Sequence, residues 1–80
     1  MNLKKYWIRL GDEYNLSKCY GITAWTESDA INILSGIINF NVSDAFIKEI
    51  ISLDELDKNH VFPNIGNPVT RGVWYPAGLK

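Results

Sequence analysis

The segment that most constrains this fold is NHVFPNIGNPVTRGVWYP, residues 59–76, called the tail below. It holds all three prolines of the chain, Pro63, Pro68 and Pro76. Each proline fixes its own φ angle and lacks an amide donor, so no helix can run through the tail. Gly66 and Gly72 add backbone conformations that other residues rarely adopt. We expect so constrained a segment to follow one path against a folded domain and not to act as a linker.

Length and composition favour one small globular domain over residues 1–80. Eighty residues leave no room for a second core, and 46% hydrophobic residues with three tryptophans argue against disorder. The single cysteine, Cys19, excludes an intrachain disulfide. The start of the chain lacks the unbroken apolar run of a signal peptide, and no apolar stretch approaches the length of a membrane span. We therefore expect a cytoplasmic protein.

Two segments with alternating hydrophobicity predict an antiparallel hairpin. In residues 4–10 every second side chain is apolar, and Lys5, Trp7 and Arg9 lie on the opposite face. Residues 18–25 alternate in the same way after a short polar loop. Because the two segments are close in sequence, they can pair as neighbouring strands.

The next segment predicts an amphipathic helix. Thr26 has the chemistry of an N-cap, and Asp29 can reach back in a variant of the capping box. The apolar stripe that follows has the i, i+3, i+4, i+7 spacing of a helix, and it consists of Ala30, Ile33, Leu34 and Ile37. We expect this helix to end near Asn39 and to cover one face of a sheet.

Residues 46–53, FIKEIISL, are compatible with a helix or a strand. The three isoleucines and one phenylalanine favour a strand, and a larger sheet is needed to bury the helix stripe. Residues 71–75 are predicted to form a last short strand before Pro76. The predicted fold class is α+β: a three- to four-stranded, antiparallel-rich sheet with one amphipathic helix packed on one face.

Charge is distributed unevenly along a chain of net charge −1. Residues 1–25 sum to +2, residues 26–57 to −6 and residues 58–80 to +3. An acidic middle between basic ends can present an acidic face to a basic partner, although solvated surface charge is the simpler interpretation. The acidic balance also argues against nucleic acid as a partner, because binding to phosphates needs a basic groove.

His60 is the one side chain with an ordinary pKa near neutrality, so acid–base catalysis would most simply involve it. Arg71 could then stabilise an anion and Asp57 could orient the imidazole ring. A lone histidine in a proline-rich loop more often holds that loop in place. The sequence contains no nucleotide-binding or nucleophile motif and no metal-ligand spacing, so we expect no cofactor and no metal.

The segments CYGITAWTESDAINIL and NHVFPNIGNPVTRGVWYP resemble a group of small bacterial proteins. Members of that group have a strand ending GxTA, an acidic helix start with Asp-Ala, and a tail similar to NHVxPNxGxPxxRGVWxP. The resemblance covers nearly the whole chain. Small, acidic, cytosolic bacterial domains of this kind look like immunity proteins, which neutralise secreted or contact-delivered toxins.

These observations together favour a binding protein that is not an enzyme. The expected partner is a cognate protein toxin, a basic nuclease whose active site is occluded, with neither nucleic acid nor membrane as a partner. The predicted partner-binding residues are Asp54, Glu55, Asp57, His60 and Arg71. Two alternatives remain open: a small enzyme that uses His60 and Arg71, or a structural accessory subunit.

Overall fold

A computed structural model describes residues 2–12, 15–56 and 59–79 of the chain. Four strands form one antiparallel sheet in the order β3-β1-β2-β4: β1 is Lys4–Leu10, β2 is Cys19–Ala24, β3 is Ala45–Ile50 and β4 is Gly72–Tyr75. One α-helix, α1, is Glu27–Ser35. The predicted α+β class and the predicted packing of one helix on one sheet face are confirmed.

The predicted hairpin forms the centre of the sheet. β1 pairs with β2 with Lys5 opposite Thr23 and Ile8 opposite Tyr20. The alternation of β1 sends Tyr6 and Ile8 to the helix side, where both are buried. They form the helix-face core, whose buried members are Tyr6, Ile8, Ile22, Ala24, Ala30 and Leu34.

The helix begins as predicted and ends earlier than predicted. Thr26 is the N-cap, and its Oγ1 accepts a hydrogen bond from the amide of Asp29 at 3.1 Å. The last helical residue is Ser35, not a residue near Asn39. The Gly36 amide is shared between the carbonyls of Asn32 and Ile33, which closes the last turn. The apolar pattern in the sequence extends past Ser35 because Ile38, which lies outside the helix, also packs on the helix-face core.

Residues 46–53, which are compatible with a helix or a strand, contribute to a strand as predicted, but this strand begins one residue earlier and ends at Ile50. β3 pairs with β1 along its whole length, from Leu10 opposite Ala45 to Lys5 opposite Ile50. The strand prediction is confirmed, with the end of the segment leaving the sheet after Ile50.

The first part of the tail, residues 61–65, packs on the sheet face opposite the helix, and the last part forms β4. The buried residue Val61 joins Ile50, Trp74 and Tyr75 in a second cluster, the tail-face core, against which Trp7 packs. The Gly66 amide donates to the Trp74 carbonyl at 2.6 Å, which ties the tail to the outer edge of β4. The sequence placed Trp7 on a face with Lys5 and Arg9, and the structure shows that this face is also a core.

A bulge in β4 explains how two aromatic rings reach the same face. Gly21 of β2 is opposite Tyr75, whereas Ile22 is opposite Val73, so Trp74 is the extra residue. The Trp74 ring lies directly against Gly21: a Cβ atom added there would be 2.6 Å from two ring carbons. No other residue type leaves room for this ring.

Candidate functional site

Two of the predicted acidic residues lie in a short turn that follows β3. Leu53–Glu55 is a 3-10 turn capped by Ser52. Oε2 of Glu55 accepts hydrogen bonds from the amides of Ile51 at 2.7 Å and Ser52 at 3.1 Å, and the Ser52 hydroxyl accepts one from the amide of Asp54 at 3.1 Å. This reciprocal capping box holds the backbone of residues 51–56, called the acidic turn below.

The same hydrogen bonds keep Glu55 charged. Donation from the backbone of Ser52 and of Ile51 lowers the pKa of Glu55, and the ammonium of Lys48, 3.6 Å from Oε1, adds a smaller effect. Beside this fixed carboxylate, Asp54 is exposed and the side chain of Ile51 is 80% exposed. The acidic turn therefore presents an aliphatic side chain and an acidic one on a backbone that is already ordered.

Asp57 and His60 were predicted beside these acids. Asp57 lies outside the described residues. His60 is exposed in the turn before buried Val61, and its backbone carbonyl accepts a hydrogen bond from Nδ2 of Asn64 at 3.3 Å. The backbone of His60 thus helps to order the start of the tail, and a role of its ring in binding or catalysis stays a prediction.

Arg71 is engaged at the start of the helix. Its Nε donates to Oδ2 of Asp29 at 2.9 Å and its Nη2 to Oδ1 at 2.5 Å. Oδ2 also accepts from the amide of Trp25 at 3.0 Å. These bonds, the one from Arg71 first, lower the pKa of Asp29 to about 2. This ion pair joins the tail to the helix N-terminus, where the carboxylate of Asp29 also interacts favourably with the helix dipole.

The structure places Arg71 and the acidic turn at opposite edges of the sheet. Ile50, the last residue of β3, is opposite Lys5; Lys5 is opposite Thr23; and Thr23 is opposite Gly72, the residue after Arg71. Three strand spacings separate the two edges, about 14 Å. Asp54 and Glu55, which are consecutive in sequence, share the acidic turn, and Arg71 does not join them across this distance.

Phe46 is an exposed aromatic side chain that was not among the predicted site residues. The guanidinium of Arg9 lies over the Phe46 ring at 4.6 Å from its centroid. The two residues are directly opposite each other in the β1–β3 pairing. The alternation of residues 45–50 could have placed Phe46, because successive side chains of a strand point to opposite faces of the sheet and Phe46 therefore points away from the face of Ile47.

Within residues 2–12, 15–56 and 59–79, no three His, Cys, Asp or Glu side chains are arranged to hold a metal ion. No helix in that part of the chain is long and apolar enough to cross a membrane. Cys19 is buried, and its burial raises the pKa of the thiol, so this thiol is poorly suited to act as a nucleophile.

No protein-family model, curated protein or solved structure matches this chain.

Proposed function

We propose that this protein is a bacterial immunity-type protein that binds a toxin in the cytoplasm and inhibits it by occluding its active site. The toxin is a basic nuclease, and Asp54, Glu55 and Asp57 face its basic groups. The observation that carries the proposal is the acidic turn: an exposed aliphatic side chain beside carboxylates on a backbone fixed by a capping box.

Preordering favours binding of this kind. A flexible acidic loop loses conformational entropy when it docks, whereas the hydrogen bonds of Glu55 hold the turn in one conformation before any partner arrives. Complementary charge mainly accelerates association and excludes wrong partners, and an exposed aliphatic side chain such as Ile51 adds apolar area at the contact.

The two remaining predicted residues take different places in this proposal. His60, close to the acidic turn in sequence, stays a candidate contact. Arg71 serves the site indirectly, since its bonds to Asp29 hold the tail against the start of α1. This assignment also separates the proposal from the enzyme alternative, in which Arg71 would have to act beside His60.

The test begins with the product of a toxin gene beside this one, co-purified with the protein. Association rates are then measured at two salt concentrations for the wild type and for Asp54→Lys combined with Glu55→Gln. The glutamine keeps an acceptor for the turn while removing the charge. We expect at least about tenfold slower association and a weaker salt dependence of the rate.

The matched control is Asp12→Lys, which reverses an exposed acid in the loop after β1. It should leave the association rate nearly unchanged. Equal rates and equal salt slopes for wild type and the double variant would exclude the acidic turn as the contact. If the purified protein instead cleaves RNA and His60→Ala abolishes cleavage, the protein is an enzyme and the proposal is wrong.

A further inference from the structure

The helix leaves part of its sheet face uncovered. α1 packs mainly on β2 and β4, with Ala30 and Leu34 fully buried. β3 lies at the other side of the sheet, and a groove of about 310 Å³ separates it from the helix. The groove is lined by Ile31 and Asn32 of the helix, Glu27 at its start, and Val42, Ala45 and Ile47 from the β3 side.

The two edges of the sheet differ in what covers them. The outer edge of β4 bonds to the tail through the Gly66 amide. Within the described ranges, the Ala45 amide at the start of β3 bonds to the Val42 carbonyl, and the backbone of residues 46–50 bonds to no segment on the side away from β1. β3 also contains no proline. A six-residue strand with unpaired backbone groups is a template for another strand.

The groove has an acidic end. Along the groove side of β3 the side chains are Ala45, Ile47 and Glu49 in order. Glu49 lies opposite Tyr6, whose pKa is raised by burial first and then by the charges of Glu49 and Glu27. Glu49 on the strand and Glu27 at the helix start thus lie at the same end of the groove. Asp29, which is bonded to Arg71, has a smaller effect on Tyr6.

We propose that β3 and α1 bind an extended segment of a partner protein, added to the sheet as a fifth strand beside β3, with an apolar side chain in the groove and a basic side chain facing Glu49 and Glu27. This inference deepens the proposed function and rests on it in taking the partner to be a protein.

The register follows from the sheet. Each side chain of an added strand points to the same face of the sheet as the β3 side chain directly opposite it. A residue opposite Ile47 meets the apolar wall of Val42 and Ile31, and the residue two positions away meets Glu49. Main-chain hydrogen bonds supply affinity and the alternate side chains supply selectivity, as in other cases of strand addition.

The probe is a fluorescein-labelled hexapeptide with leucine at position two, lysine at position four and threonine elsewhere, with acetylated and amidated ends; leucine and lysine two positions apart share one face of a strand. One control peptide has glutamate in place of lysine, and another has proline at the two central positions, which removes amide donors. We expect the parent peptide to bind with Kd below about 1 mM and each control to bind at least about tenfold more weakly. Amide hydrogen exchange should slow at Ile47 and Glu49, the outward-facing amides of β3 that have no partner within the fold, and stay unchanged in Gly72–Tyr75.

Two exposed valines supply a matched pair of variants. Val42, 56% exposed, lines the groove, whereas Val69, 75% exposed, lies in the tail. Val42→Lys should weaken binding of the parent peptide at least about tenfold, and Val69→Lys less than about twofold. No binding by the parent peptide, equal binding by the proline peptide, or equal effects of the two valine variants would overturn the proposal.

The same variants separate the two proposals. If the peptide binds in the groove but the toxin is not inhibited, strand addition stands and the immunity function fails. If the wild type and Val42→Lys inhibit the toxin equally, the immunity function is supported and the toxin does not bind in the groove.

Discussion

The two faces of the sheet are built in different ways. The helix-face core is mostly aliphatic and is covered by a regular helix whose stripe repeats along the sequence. The tail-face core combines aliphatic side chains with aromatic ones, including Trp7 and Trp74, and is covered by irregular backbone with 3-10 turns. A regular face tolerates local adjustment because many similar side chains share the contact. The tail face depends on single contacts, such as the Trp74 ring against Gly21, that no neighbour can replace.

The largest expected effect in this comparison is that of Trp74→Ala. Trp74 is fully buried, and removal of its ring should lower the free energy of unfolding by about 3–5 kcal/mol. The measurement is equilibrium unfolding in urea. Val69→Ala, which shortens a side chain that is 75% exposed, is the control and should change stability by less than about 0.5 kcal/mol.

Leu34→Ala makes the equivalent change on the helix face. Leu34 is also fully buried, and its truncation should cost about 2–5 kcal/mol. A loss below about 1 kcal/mol for Trp74→Ala beside a full loss for Leu34→Ala would show that the tail lies on the sheet without stabilising it.

A smaller effect is expected for Gly21→Ala. The added Cβ would lie 2.6 Å from carbons of the Trp74 ring, so the ring must move, at a cost of about 1–3 kcal/mol. Gly36→Ala is the control, since its nearest contact would be 3.5 Å away and its φ of −76° suits alanine. In the Trp74→Ala background the cost of Gly21→Ala should largely disappear. An equal cost in both backgrounds would mean that the glycine is needed for some other reason.

The smallest effect concerns the pair that ties the tail to the helix. The pKa of Asp29 is lowered from 3.8 to about 2, so its ion pair stabilises the fold above about pH 4 and this contribution is lost as the pH falls toward 2. Asp29→Asn should flatten the pH dependence of unfolding in that window. Some slope should remain, because the pKa of Glu55 is lowered as well.

Arg71→Gln tests the same pair from the other side. It should flatten the profile as Asp29→Asn does, and the double variant should add little, because both changes remove one interaction. An unchanged slope in Asp29→Asn would show that the ion pair does not contribute to folding stability.

The difference between the faces also decides what could be predicted from sequence. Periodicity identified β1, β2 and the helix stripe because each regular element repeats its own pattern. The second core could not be predicted, because Trp7 alternates with Lys5 and Arg9 and its partner Trp74 is distant in sequence. The early helix end had a signal in Gly36, which the continuing apolar pattern obscured. At the candidate site Asp54 and Glu55 adjoin because they are neighbours in sequence, whereas the pairing of Arg71 with Asp29 spans 42 residues and has no local pattern.

The uneven distribution of aromatic residues gives each face its own optical signal. The ring centroids of Trp7 and Trp74 lie 6.2 Å apart on the tail face, and Tyr75 lies 5.2 Å from Trp7. The helix-face core contains Tyr6 and Tyr20 and none of the three tryptophans. Coupled indole transitions should therefore produce a circular dichroism couplet that vanishes when the tail lifts from the sheet. The amplitude of this couplet during refolding therefore times the closure of the tail face without any label.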